Sequence, residues 1–399
     1  MRFRNIFALL CLVSVGFCLE AYLKMSVEKI DFGELSSATY NSDGYRFAYI
    51  SSGQFDSNSN LYVTIPRTYG TPSSVESIPA TIAKITNTTS SSNFGGVPFP
   101  TTEMNAVGTG SLRSVSAMHI DRNDIMHFID VNTVAGTDYG DATYKRLSVK
   151  TGTLTGHSVS IEGVLNNLWP NDIAYAIDND ITFIAAGGSS SAGRIIACRD
   201  NSCASYTVTD DSCSSTYRGV VAVDVSCDGQ FLFYRTYCSG EVKVVPIDFI
   251  SGALKDGSSV ITWNPNFEYT MSRGTSLQEG CGIFVDEALR VFASSSNGRV
   301  YYDSFMLESA VLEDNVSRSS SVQGGVFANM NNGTVLVFDG RYLQDMIEGS
   351  THTRNYMSRF DINAAHSRQG CAGNISLFSW ITVIGTILAV VLGLICGRV

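Results

Sequence analysis

Apolar positions along most of this chain alternate with polar ones in short runs rather than recurring at helical spacing. The runs are rich in β-branched and aromatic residues. They are cut by Gly, Asn, Asp and Ser, the pattern of strands joined by tight turns. A repeat can be read in them: a strand, a polar turn, then a second strand. Copies are Val115–Asp121 with Ile125–Val131, Ile173–Asp178 with Ile181–Ala186, and Val220–Ser226 with Phe231–Thr236. Two more are Gly282–Asp286 with Arg290–Ser294 and Gly325–Asn329 with Thr334–Phe338. A sixth, poorer copy has its turn at Asn41-Ser42-Asp43-Gly44 and continues into Tyr45–Ile50. The turns are spaced by about 58 residues on average. Such a period, with several strands to each unit, predicts an all-β, six-bladed β-propeller, because one blade cannot bury both its faces and a ring of blades can. A pair of β-sandwiches is the alternative. The ring is expected to close through a strand near Val27–Phe32 that joins the last blade.

Two apolar runs stand apart from the alternation. Arg2 and Arg4 precede the run Ile6 to Phe17, and the small residues Gly16 and Cys18 are placed for cleavage near Cys18, so residues 1–18 read as a secretory signal peptide. Ile375 to Cys396 is 22 residues without a charge, about 33 Å as a helix and enough to cross a bilayer core. Two readings of that segment stand side by side. One is a single-pass membrane helix. The other is a glycolipid-anchor signal, with Asn363-Ala364-Ala365 as the small-residue site. The expected organisation is a signal peptide at 1–18, a propeller at 19–372 and a membrane or anchor segment at 375–396. The body then lies outside the cell or in a lumen, held to the membrane at its C-terminus.

Composition narrows the function classes. Hydrophobic residues make up 44% and charged residues 16%, which excludes disorder over the whole chain. Net charge is −10 and no basic run occurs, so a nucleic-acid partner is not expected. Of the ten cysteines, seven lie in the body: Cys198, Cys203, Cys213, Cys227, Cys238, Cys281 and Cys371. An odd number leaves one thiol free or paired between chains. Cys198 and Cys203 flank Arg-Asp-Asn-Ser, a hairpin turn, and are expected to bridge across it. Sequons stand at Asn87, Asn315, Asn332 and Asn374, glycan sites if the chain is secreted.

Leu61-Tyr62-Val63-Thr64-Ile65-Pro66-Arg67, followed by Ile78-Pro79-Ala80-Thr81, resembles the major royal jelly/Yellow family. Leu112–Val115 with Ile120-Asp121, and Asn171–Ala174 with Ile181–Ala185, are similar to its second and third blades. Arg341-Tyr342-Leu343-Gln344, Asn355–Phe360 and Gly370-Cys371 resemble its C-terminal stretch. The resemblance spans roughly residues 45 to 372 and implies a secreted six-bladed propeller. Its members include nutritive proteins, proteins tied to dopachrome conversion, and binders of biogenic amines in the central channel. The amine binders carry an Asn just before the Arg-aromatic pair; that position here is Gly340, beside Asp339. Shorter patterns, Gly33-Glu34 and Pro170-Asn171-Asp172, resemble metal-dependent gluconolactonases, whose third ligand, an Asp, would fall at Cys281-Gly282.

The chemistry-bearing residues are sparse. The five histidines, His119, His127, His157, His352 and His366, show no metal-ligand spacing, and His119 and His127 lie in expected strands, where a structural role is the simpler reading. No nucleophile-elbow, zinc-protease or phosphate-loop motif occurs, so no cofactor is implied. The candidate site is therefore the channel mouth. Residues entering the innermost strands there are Asn171, Asp172, Arg218, Glu279 and Gln323, with Asp339 and Tyr342 after the last blade's second strand. Carboxylates around a channel attract cations, and a Tyr342 ring offers them a π-face, which points to a small amine or aromatic ligand. A dopachrome-converting or lactonase enzyme, or a surface protein with an idle channel, are the alternatives.

Overall fold

In a computed structural model, the described residues are 21–27, 29–32, 50–67, 78–87, 93–106, 111–131, 142–165, 168–188, 192–208, 218–237, 241–255, 259–261, 268–271, 282–285, 290–294, 300–304, 307–313, 327–329, 334–338 and 355–361. The expected signal peptide, the segment at 375–396 and the turn at 41–44 lie outside them. Among the described residues, no helix is long and apolar enough to cross a membrane.

The structure is mostly β. An N-terminal segment forms β1 (Ala21–Val27) and β2 (Lys29–Asp31). The first sheet then follows as β3 (Ser52–Phe55), β4 (Leu61–Thr64), β5 (Ile82–Asn87) and β6 (Asn93–Pro98). A second comprises β7 (Val115–Ile120), β8 (Ile125–Val131), β9 (Ala142–Ser148) and β10 (Thr153–Ser160), with a one-turn helix α1 (Glu162–Leu165) after it. A third set is β11 (Trp169–Ala176), β12 (Ile181–Gly188), β13 (Gly193–Arg199) and β14 (Ser202–Val208). A fourth is β15 (Arg218–Val225), β16 (Phe231–Thr236), β17 (Val242–Pro246) and β18 (Tyr269–Met271), with α2 (Ile247–Lys255) between the last two. The fifth is β19 (Ile283–Val285), β20 (Arg290–Ser294), β21 (Val300–Ser304) and β22 (Leu307–Glu313). Strands β23 (Phe327–Asn329), β24 (Thr334–Phe338) and β25 (Asn355–Asp361) complete the chain order.

Each set is an antiparallel meander, as the strand–turn–strand repeat predicts. The sheet of β23, β24 and β25 takes β1 as its fourth strand, with Val27 opposite Asn355. Closure thus uses Ala21–Val27, earlier than the Val27–Phe32 expected from sequence; Lys29–Asp31 instead adds parallel to β6 of the first sheet. The sixth copy of the repeat, with its strand at Tyr45–Ile50, falls almost wholly outside the described residues, and the first sheet is described from Ser52 onward. Its leading hairpin is β3–β4, turning at residues 56–60.

The leading strands touch in sequence: β3 against β7, β7 against β11, β11 against β15, β15 against β19, β19 against β23, and β23 back against β3. This cyclic order of sheets is propeller-like. Hydrophobic clusters lie between neighbouring sheets rather than within one. Tyr62 and Ile82 meet Met118 and Phe128; Ile129 and Tyr144 meet Trp169 and Ile184; Phe183 and Ile195 meet Leu232 and Tyr234; Phe233 and Val244 meet Ile283 and Val291. Strand β12 is accordingly buried from Ile181 to Gly187 on both faces.

Three leading strands share a bulge. The register slips between Val115 and Ala117, between Pro170 and Asp172, and between Val220 and Ala222. A bulge sharpens strand twist and re-aims the side chains beside it. The third and fourth sets are further joined edge to edge, Gly187 opposite Gly219 and Gly188 opposite Arg218. Only glycine fits there: a Cβ on Gly219 would stand 2.2 Å from Gly187 Cα, and its φ is +152°.

Candidate functional site

The start of β11 carries two residues singled out from sequence. Strand β12 pairs antiparallel with both β11 and β15, so those two leading strands run the same way, side by side. Asn171, at the bulge, donates from Nδ2 to Val220 O (2.7 Å). Asp172 Oδ1 accepts the N–H of Ile173 (2.9 Å), and Oδ2 accepts that of Val223 on β15 (3.1 Å). The next leading strand repeats the device. Asp224 accepts Val225 N–H (2.8 Å) at Oδ1 and Val285 N–H of β19 (2.7 Å) at Oδ2. These carboxylates staple β11 to β15 and β15 to β19, where neighbouring sheets would otherwise leave backbone donors without partners.

Asp172 is half-buried. Desolvation pushes its pKa up to about 8, and the charge on Asp224 adds to this, outweighing the two N–H donors. Arg218 opens β15 close by, its backbone opposite Gly188. Glu279, Gln323, Asp339 and Tyr342 lie outside the described residues, as do Glu34 and Cys281 of the lactonase pattern. Among the described residues, no group of three or more His, Cys, Asp or Glu side chains is arranged to hold a metal ion.

A second polar cluster lies between the second and third sheets, and sequence reading missed it as a cluster. His127 on β8 is buried, with Nδ1 2.7 Å from Tyr144 Oη and Nε2 3.3 Å from Asp121 Oδ2. Tyr144 Oη also accepts from Arg146 Nε (2.6 Å) and from Thr182 Oγ1 (2.7 Å) across the sheet boundary. Arg146 pairs with Asp180 at 3.0 Å, and Tyr175 donates to the same carboxylate oxygen at 2.7 Å. The Tyr175 ring stacks on His127 with centroids 3.9 Å apart. Desolvation holds the His127 pKa below its ordinary value despite Asp121. Burial pulls Asp121 upward, but hydrogen bonds from His127, Ile125 and Asn123 outweigh it and leave the pKa low. Burial raises Tyr144.

The expected Cys198–Cys203 disulfide is present, Cα atoms 4.1 Å apart and directly opposite across β13 and β14. Cys227 is also disulfide-bonded. Asn87 ends β5, while Asn315, Asn332 and Asn374 lie outside the described residues.

No family model matches the chain, and no curated protein matches it. Among solved structures it is similar to a calcium-binding protein, regucalcin, from Agrobacterium tumefaciens. Identity there is 13%, with 80% of this chain and 93% of that chain covered and a TM-score of 0.48. It is also similar to a luciferin-regenerating enzyme at 10% identity, covering 82% of this chain and 96% of that one, TM-score 0.48. Neither likeness is close enough to bear on function. The structure gives the stretch Leu61–Arg67, with Ile78–Thr81, a physical role. Arg67 is buried and donates to the carbonyls of Ile78 (3.1 Å), Arg113 (3.2 Å), Pro79 (3.2 Å) and Asn105. Asn105 Oδ1 in turn accepts Thr81 N–H (3.0 Å), and Thr81 Oγ1 accepts Val115 N–H (2.6 Å). The Pro-Arg and Pro-Ala-Thr motifs thus form one knot joining the first sheet to the second.

Proposed function

We propose that this chain is a six-bladed, Yellow-like propeller of the secretory pathway, membrane-anchored at its C-terminus, which binds a small organic cation in its channel beside Asn171 and Asp172. Six leading strands that contact one another in a cycle support the blade count. The cross-strand disulfide supports an oxidising compartment. The observation that carries the binding reading is Asp172. A carboxyl group kept partly protonated near neutral pH by its surroundings, while one side stays open to solvent, is a group whose ionised form has no counter-charge among the described side chains. A protonated amine supplies that charge and displaces the proton.

The sign follows from linkage. The folded pKa of Asp172, about 8, lies above the ordinary carboxylate value, so the unliganded protein is disfavoured by ionisation as pH rises through that range. Ligand affinity moves the other way. Below about pH 8 each unit of pH costs an incoming ammonium up to about tenfold, because it must expel a proton. Calorimetry with serotonin- or dopamine-like amines at pH 6 and pH 8 is expected to show tighter binding at pH 8, and Asp172→Asn to abolish the difference. No heat from any amine at millimolar concentration would leave the channel idle.

A further inference from the structure

We propose that the His127 cluster is an acid-released latch between the second and third sheets, held by a single histidine tautomer. The proposal is independent of ligand binding in the channel.

The tautomer follows from counting donors at Tyr144. Arg146 Nε carries a hydrogen that cannot be given up, and it points at the phenol oxygen. Thr182 Oγ1 donates to the same oxygen. With both lone pairs taken, the phenol hydrogen has one direction left, toward His127 Nδ1. Nδ1 is therefore the bare nitrogen. Nε2 carries the proton and gives it to Asp121 Oδ2. The opposite tautomer puts three donors on one phenol oxygen, leaves the phenol hydrogen without an acceptor, and sets a bare Nε2 against a carboxylate.

A second proton can add only at Nδ1. It would then meet the Tyr144 hydrogen head on. To make room, Tyr144 must turn its hydrogen away and drop either Arg146 or Thr182. Both losses fall on the seam, since Thr182 belongs to the third sheet and Arg146 reaches that sheet's Asp180. The charged ring would also occupy a space with no exposed side, stacked on Tyr175. The groups facing it have mixed effects. Asp121 on the β7–β8 turn and Asp180 on the β11–β12 turn favour the imidazolium; Arg146 on β9 opposes it. His119, across from His127 on β7, and His157 of β10, edge-on to Tyr144, add no negative charge. The exposed Arg122–Asp178 pair bridges the same two turns at 2.9 Å and is already neutralised.

Opening the seam frees His127 to titrate at its ordinary value near 6.5. The open form then gains a proton that the closed form resists, so acid favours opening. The expected readout is amide hydrogen exchange on β8, β9 and β12. Once corrected for intrinsic rates, protection falls as pH drops below about 6.5, approaching tenfold per pH unit for a one-proton opening, while β3, β4 and β5 hold theirs. His127→Gln, which takes up no proton, is expected to lose that slope. Imidazole 15N spectra of the wild type should show a bare Nδ1 and a protonated Nε2 at pH 7.5, with no ordinary titration while the sheets stay closed. A protonated Nδ1 at neutral pH, or His127 titrating normally in the closed protein, would overturn the latch. So would a slope that is missing in the wild type or survives in His127→Gln. The 15N arm stands even where the variant fails to fold.

Discussion

Arg67 shows how a motif residue is held by what it satisfies. Its guanidinium fans over main-chain carbonyls of three separate segments, of which those at Ile78-Pro79 and Asn105 are buried and need a donor. The planar fork matters, because an ammonium cannot aim hydrogens at so many fixed oxygens at once. Arg67→Ala leaves several carbonyls without donors, at about 1–3 kcal/mol for each, and is expected to destabilise by at least about 3 kcal/mol in urea unfolding. Arg67→Lys is expected to recover less than half of the loss. At this scale the sequence was legible where chemistry is local. The polar turns at Asp121 and Ser226 were readable because a short side-chain acceptor capping its own turn leaves a fixed spacing: Asp121 takes the N–H of Asn123 and Ile125, and Ser226 those of Gln230 and Phe231. The cluster around His127 was not, since Tyr144, Tyr175 and Thr182 come from three other strands, and a period of two says nothing of which sheet faces which. The structural reading of His127 agrees with its buried, hydrogen-bonded place; the chemistry of the cluster could be seen only once the sheets were assembled.

Elements meet through backbone as well as through side chains. The β12–β15 seam depends on Gly187, Gly193 and Gly219 crowding together, with a Cβ on Gly193 only 2.4 Å from Gly219 Cα. Backbone cannot retreat as a flexible side chain can. Gly219→Ala is therefore expected to cost at least about 3 kcal/mol, combining overlap with a disallowed φ. Gly252 in α2 is the contrast, with no atom within 4 Å of its would-be Cβ. Gly252→Ala there should stabilise by about 0.5–1 kcal/mol, from helix propensity and a less flexible unfolded chain. The two substitutions add the same methyl group, so thermal unfolding of both separates packing from propensity. The seam itself could not be foreseen: glycines in a strand signal a close approach, but not to what. The hairpin disulfide could, because four intervening residues fix the distance between the cysteines.

At the scale of the molecule, the first and last described strands meet. Strand β1 is the outermost strand of the sheet that β25, near the other end of the fold, also builds, and the next residues, Lys29–Asp31, run along the edge of the first sheet. One short segment therefore ties the last sheet to the first. The expected closing strand at Val27–Phe32 was misplaced by several residues for an identifiable reason. Only three residues separate the alternation in Ala21–Val27 from the apolar run at Ile6–Phe17, which masks where the strand begins. Without β1, the outer edge of β25 would present unpaired N–H and C=O groups, the template on which sheets from different copies join. Closing a ring between segments more than 300 residues apart also makes β1 the contact with the longest loop to order, hence one that forms late. A chain that begins at Lys29 is therefore expected to fold its middle sheets but to lose cooperativity, and to elute as dimers and larger species in size exclusion. A synthetic peptide covering residues 19–28, added during refolding, should restore the monomer by pairing with β25. A truncated chain that stays monomeric, with the unfolding midpoint of the full-length protein, would show that β1 is an ornament on the last sheet and that the ring is held by its hydrophobic seams alone.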